Sequence, residues 1–237
     1  MKYLIVHAHH EPESFNAALT QLAVRELPLS GHEVAVSDLY AMGFDPVSDR
    51  RNFTTVADAD YLKQQQEEMH AGKNDGFAPE IVAEMEKLEW CDVLIFQFPI
   101  WWFGMPAILK GWVDRVFAMG RVYGGGRWYD RGVFTGKRAM LSLSTGAASG
   151  AFAADGIHGD IDAILFPINH GVFGFTGFDV VPPFVVWSPA RISVAEREAQ
   201  LRAYGDRLLN IANEKTIQYP HVEDFDPKTF RLLQKET

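Results

Sequence analysis

The sequence predicts an open α/β domain: a doubly wound, five-stranded parallel sheet in the order 2-1-3-4-5. Three observations predict it. Short, continuous apolar runs such as YLIV (Tyr3–Val6) and VLIFQ (Val93–Gln97) have the length and content of strands buried on both faces. Segments with helical apolar spacing alternate with those runs, as in β-α-β units. Two successive strand-end loops differ in composition, one aromatic (Phe98–Met105) and one of small residues (Ser142–Gly150). In open α/β sheets, ligands bind at the carboxyl ends of the strands.

Each element has its own signal. Tyr3–Val6 is the first strand. The loop HAHHEPESFN (His7–Asn16) leads into a helix with Phe15, Leu19, Leu22, Ala23 and Leu27 at its apolar positions. Ser14 is its N-cap and Gly31 its end. Val34–Val36 is the second strand. Leu39–Gly76 is too long for a simple connection and reads as a surface excursion carrying a polar, helix-like run, DADYLKQQQEEMHAGKN. Pro79 opens a helix with Ile81, Val82, Met85 and Leu88 on one face, leaving Glu80, Glu84, Glu86 and Lys87 on the solvated side.

The third strand, Val93–Gln97, runs into the aromatic loop. Pro106 then opens a helix whose stripe is Ile108, Leu109, Trp112, Val113, Val116 and Phe117. Arg121–Gly136 is glycine-rich and reads as a loop or loose hairpin, since no strand–glycine–helix context makes it a phosphate cradle. Arg138–Leu143 is the fourth strand. GIHGD (Gly156–Asp160) precedes a helix over Ile161–His170. Val180–Val186, interrupted by Pro182 and Pro183, suits the sheet's edge. Ser193-Val-Ala-Glu196 matches a capping box, opening a last helix with Leu201, Leu208 and Ile211 on its buried side. From Thr216 the chain is polar and irregular. Five strands with interleaved helices and no internal repeat make a flavodoxin-like arrangement.

Composition narrows the function. The net charge of −9 argues against a nucleic-acid surface. No apolar run approaches the roughly 18 residues of a membrane span, and the N-terminus falls short of a secretory signal. A cytoplasmic protein is expected. The single cysteine, Cys91, excludes an internal disulfide and a Cys-rich metal cluster; with no histidine at ligand spacing, no metal site is expected.

The first loop lacks G-x-G-x-x-G, yet a helix N-terminus there still offers N–H groups to a phosphate. His9, Ser14, Phe15 and Asn16 either complete such an anion site or simply cap, pack and meet solvent. Trp101, Trp102 and Phe103, between Pro99 and Pro106, form either a ligand platform or a partner surface. An aromatic loop beside a small, amide-rich one suits a planar ring stacked on one wall and hydrogen-bonded at its rim. A flavin fits that description, and a purine less well.

His7–Asn16, Ser37–Pro46, Ala78–Phe117, Ser144–Gly150 and Gly156–Asp160, spread over Tyr3 to Ile211, resemble the NAD(P)H:quinone oxidoreductase family of the FAD-containing DT-diaphorase type. The resemblance implies a flavodoxin-like homodimer with the flavin at the subunit interface, FAD rather than FMN as cofactor, and NAD(P)H as electron donor. It implies a flavin-binding domain over residues 1–215 and a tail over 216–237 packed on that domain or on a dimer partner.

Position by position, it places the FAD phosphates at His9, Phe15 and Asn16. The flavin ring falls along Pro99, Ile100, Trp102 and Phe103, with Trp101 in the same loop, and the ring's polar edge at Ser144, Thr145, Gly146 and Ala147. Arg197 helps hold FAD, and one of Gln64, Gln65 and Gln66 lies near the adenine. Tyr123 closes over the substrate, whereas a second closing tyrosine of the family falls on Gly125. His158 matches the histidine of the active-site pair, but the paired tyrosine is Phe152 here, which lines the substrate side without a hydroxyl.

The implied reaction is reduction of a quinone by NAD(P)H through ping-pong hydride transfer, with His158 stabilising charge or donating a proton. Azo- or nitroaromatic reduction on the same fold, and a flavin-binding regulatory subunit of a cation-efflux transporter, are the alternatives.

Overall fold

The computed structural model describes residues 1–234; the last three residues of the expected tail lie outside the described residues. Five parallel strands, β1 (Lys2–His7), β2 (Glu33–Asp38), β3 (Val93–Pro99), β4 (Arg138–Thr145) and β5 (Asp179–Trp187), form one sheet in the order β2-β1-β3-β4-β5. That is the expected order. Six α-helices among the described residues cover it: α1 (Phe15–Leu29), α2 (Gln64–Lys73), α3 (Pro79–Trp90), α4 (Ala107–Val116), α5 (Ile161–Ile168) and α6 (Val194–Asn210). None of the described helices is long and apolar enough to cross a membrane.

The period-two alternation of a strand divides the core in two. Tyr3 and Ile5 point with Val93, Ile95 and Met140 toward Leu19, Leu22 and Leu27 of α1 and Tyr204 and Leu208 of α6. Leu4 and Val6 point with Leu94 and Phe96 toward Ile81, Met85 and Leu88 of α3, Trp112 and Val116 of α4, and Leu165 and Ile168 of α5. β1, β3 and β4 are buried on both faces, which is why their sequences are largely apolar, whereas the edge strands β2 and β5 keep exposed positions.

The expected caps form. Ser14 Oγ accepts from Ala17 N at 3.1 Å, and the Ser193–Glu196 capping box closes in both directions. At the sheet's edge, the two prolines of β5 donate no ladder hydrogen bond. The register slips there, Met140 facing Val181 and Ser142 facing Phe184. Arg207 covers the freed carbonyls of Pro182 and Pro183. The helix expected over Ile161–His170 is regular to Ile168 and continues as a π-helical turn over Asn169–Gly174. Cys91 sits between α3 and β3, its Sγ donating to Leu88 O at 3.3 Å, and burial pushes the thiol up to about 12.

Several charges turn inward. Glu84, expected on the solvated side of α3, is 1% exposed and accepts from Trp112 Nε1 at 2.8 Å and Lys87 Nζ at 2.6 Å. The reason is the neighbour: a buried indole N–H needs an acceptor, and α4 presents Trp112 against α3. In the excursion, Glu67 accepts from Ala57 N and Asp58 N and so ties its loop to α2.

Glu68 accepts from Met119 N at 2.6 Å and Gln64 Nε2 at 2.9 Å and lines a second cavity of about 280 Å³. Burial holds the Glu68 carboxyl above the ordinary range, against the lowering pull of those two donors. A folded-state pKa above the unfolded value gives stability that is complete below the unfolded pKa and is lost as pH rises through the folded one. Glu68→Gln, which keeps an acceptor for Met119 N, is therefore expected to flatten the fall in stability between about pH 5 and pH 8. Urea midpoints of both proteins at the two pH values check this, and parallel falls would refute it.

Candidate active site

The carboxyl ends of β1, β3, β4 and β5 lie along one edge of the sheet, and their loops build the site. Under those loops is a buried amide network. Asn16, at the start of α1, donates Nδ2 to Ser144 Oγ at 2.8 Å and accepts at Oδ1 from Gln97 Nε2 at 2.9 Å. One asparagine thus ties the first helix to the ends of β3 and β4. Ala8 N donates to Gln97 O and Ile100 N to Ser144 O, so the three loops leave a common floor.

In the first loop, His9 Nδ1 accepts from Glu11 N at 3.0 Å, which leaves the neutral ring's proton on Nε2. Burial, then the adjacent His10, holds the His9 pKa below the ordinary histidine value. The two imidazoles stack at 4.8 Å, and Trp101 packs against both at 6.2 and 5.8 Å. Phe15 is half-buried, and the first-turn N–H groups of α1 point out of the helix.

The aromatic loop is a tight turn. Trp101 and Gly104 exchange both backbone hydrogen bonds, at 3.1 and 3.0 Å, around Trp102 (φ +50°) and Phe103 (φ +58°). Two successive left-handed residues make a type I′ geometry, which ordinarily selects Asn-Gly. Here it carries two large rings, Trp102 at 98% exposure and Phe103 at 50%.

The small-residue loop follows β4. Thr145 Oγ1 donates to Ala147 O at 2.7 Å and shapes the turn. The N–H groups of Gly146, Ala147 and Ala148 donate to no acceptor among the described residues. Beyond it, the chain folds tightly on itself. His158 N donates to Ala151 O, and Gly156 sits where a Cβ would lie 2.4 Å from Gly150 O and 2.6 Å from Ala151 O.

Together these loops enclose an open cleft of about 460 Å³ lined by Ile100, Trp102, Phe103, Gly146, Ala147, Phe152 and His158. All seven are expected site residues. Phe103 meets the His158 ring edge-on at 5.5 Å, and Phe152 lies 5.0 Å from His158 and 6.5 Å from Phe103.

The remaining expected residues sit elsewhere. Pro99, Ser144, Thr145 and Asn16 are buried in the floor. Arg197 Nη1 donates to Pro189 O and Ile192 O, closing the loop before α6. Tyr123 lies outside the cleft, its hydroxyl accepting from Gln65 Nε2 at 3.3 Å and its ring against Phe175. Two residues went unread in the sequence. Gln97 is the polar interruption in an otherwise apolar strand, a visible signal. Trp187, at the end of β5, packs on Phe152 at 5.6 Å and carried no local signal.

Residues 1–210 match the family described by its flavodoxin-like fold. NAD(P)H dehydrogenase (quinone) 1 of Cavia porcellus is 42% identical over 224 residues, covering 94% of this chain and 82% of that one. Ribosyldihydronicotinamide dehydrogenase (quinone) of Homo sapiens is 40% identical, covering 91% and 94%. The chain belongs to the flavodoxin-like NAD(P)H:quinone oxidoreductase family. A solved structure of a candidate quinone reductase from Klebsiella pneumoniae superposes with a TM-score of 0.94 at 39% identity, over 98% of this chain and 93% of that one. For a quinone oxidoreductase the cleft has a suitable form: open on one side, aromatic on one wall, and lined with unpaired amides on the other.

Proposed function

We propose that this chain reduces quinones with electrons from NAD(P)H through FAD seated at the cleft, as a homodimer. The observation that carries the reading is the convergence of the Trp102–Phe103 turn, the Gly146–Ala147 amides and His158 on one cleft, in a chain of this family. The donor set fits a flavin. Aromatic rings offer a stacking face, and three unpaired N–H groups offer donors to the polar rim of a planar ring. The flavin supplies two-electron redox chemistry when bound.

The chain's own residues do the rest. The N-terminus of α1, with His9 and the N–H groups of Phe15 and Asn16, takes the phosphates. Arg197 holds the loop that borders them. Tyr123, remote from the cleft of its own chain, closes over that of the second copy. Trp102 and Phe103 exclude water from one side and leave room for one planar substrate at a time. Donor and quinone then occupy the same place in turn.

Flavin released from the purified protein should have the mass of FAD. NADH or NADPH with menadione should give parallel double-reciprocal lines; intersecting lines would reject alternating occupancy, and a protein without flavin or turnover would reject the reading. His158 gives or stabilises the proton at the quinone oxygen. With Phe152 lacking a hydroxyl, it does so without a tyrosine partner. His158→Ala is expected to slow quinone turnover by about 10-fold or more with flavin content unchanged. Equal stopped-flow rates would remove it from the mechanism.

A further inference from the structure

We propose that Trp187 is a positioning residue of this cleft, setting through Phe152 where the His158 ring stands. The proposal rests on the quinone-reductase reading only for its kinetic consequence. Its basis is the way the His158 ring is held. No hydrogen bond fixes that ring among the described residues; its backbone N–H is the group bonded, to Ala151 O at 2.8 Å. What places the imidazole is contact with two rings, Phe103 at 5.5 Å and Phe152 at 5.0 Å.

Those two rings are not equally firm. Phe103 rides on an exposed two-residue turn. Phe152 is buried, and besides His158 and the more distant Phe103 ring at 6.5 Å it meets Trp187 at 5.6 Å. Trp187 in turn belongs to the sheet. It pairs with Thr145 in the β4–β5 register, and the next residue donates Ser188 N to Thr145 O at 3.1 Å. A chain of packed rings therefore runs from the end of β5 to the imidazole, while Trp187 itself does not line the cleft. Packing of this kind fixes orientation because offset and edge-on ring pairs have preferred geometries that an aliphatic group does not reproduce. The fixed orientation aims the proton-bearing nitrogen at a substrate oxygen, and a small misplacement there is costly in rate.

The test compares Trp187→Leu, which keeps apolar bulk without a ring, with Trp187→Phe, which keeps a ring. In the resting protein, the NMR resonance of the His158 Cε1 proton reads its distance and angle to Phe152 and Phe103. It should move in Trp187→Leu and stay near its wild-type position in Trp187→Phe. Under turnover, Trp187→Leu should lower kcat/KM for menadione about 10-fold, and Trp187→Phe should restore most of it. In a His158→Ala background, Trp187→Leu should add less than about two-fold, because both changes remove one function.

An unmoved His158 resonance in Trp187→Leu, or a full additional loss in the His158→Ala background, overturns the proposal. A wild-type protein that does not turn over menadione rejects the functional reading instead, and the resonance still decides the role of Trp187. Flavin content and the urea midpoint of each variant separate misplacement from unfolding. A shifted resonance with both unchanged supports positioning.

Discussion

Trp102→Asn combined with Phe103→Gly is expected to yield a protein that unfolds at higher urea but holds its flavin poorly. Both residues sit in the left-handed region, which costs an L-residue about 1–2 kcal/mol. Asn and Gly relieve that cost in a type I′ turn. Trp102 is almost fully exposed and buries nothing in return, so Trp102→Asn alone should stabilise by about 1 kcal/mol. Phe103→Gly gains the same relief but loses contact with Phe152 and His158, so its net effect on folding is expected near zero.

Flavin binding should move the other way. Each stacked aromatic contributes about 0.5–1.5 kcal/mol beyond its buried area, so losing both is expected to weaken flavin binding about 10- to 100-fold. Urea unfolding of the apo-protein and fluorescence titration with FAD check the two halves. A destabilised Trp102→Asn, or unchanged flavin affinity in the double variant, would show that the turn is not strained in the service of the site.

Arg115→Ala is expected to be the most damaging single change to the fold, at about 3–5 kcal/mol. The guanidinium is 4% exposed within α4 and is shared among three partners: Asn52 Oδ1 at 2.6 Å, Asp45 O at 2.7 Å, and Glu80 Oε1 at 3.3 Å. Glu80 is largely exposed, so that ion pair contributes little. The cost comes from the other two acceptors, both of which belong to the excursion over residues 39–76. Alanine leaves the buried Asn52 amide and the half-buried Asp45 carbonyl beside a cavity with no donor. Arg115→Lys should not rescue, because one ammonium cannot reproduce a planar fork reaching two sites. Urea denaturation measures the loss; a value below about 1 kcal/mol would mean that the excursion is anchored elsewhere.

These charges also mark where reading the sequence stops. β1, β3 and β4 are legible because a strand covered on both faces has to be apolar throughout. β5 declares itself an edge through Pro182 and Pro183. Ser14 and Ser193 show as caps because their partners lie three residues away. The cleft was legible from loop composition and family resemblance, and all seven lining residues were anticipated. Glu84, Glu68 and Arg115 were not legible as buried groups, since their partners stand 28, 51 and 63 residues away and charge alone reads as solvation. Nor does a sequence reading WWF announce a left-handed turn, because the residues that normally signal one are absent. Trp187 escaped for the same reason as Arg115: its importance lies in what a distant loop lays against it.

Cys91 leaves the protein chemically blank to thiol reagents. Burial pushes its pKa up to about 12, so the reactive thiolate is scarce at neutral pH, and the sulfur is enclosed besides. A cysteine introduced at Leu29, 80% exposed at the end of α1, would then be the chain's one reactive handle. A single spin label or fluorophore placed there would test the proposed dimer, reporting whether two copies assemble and at what separation, without first removing a native thiol.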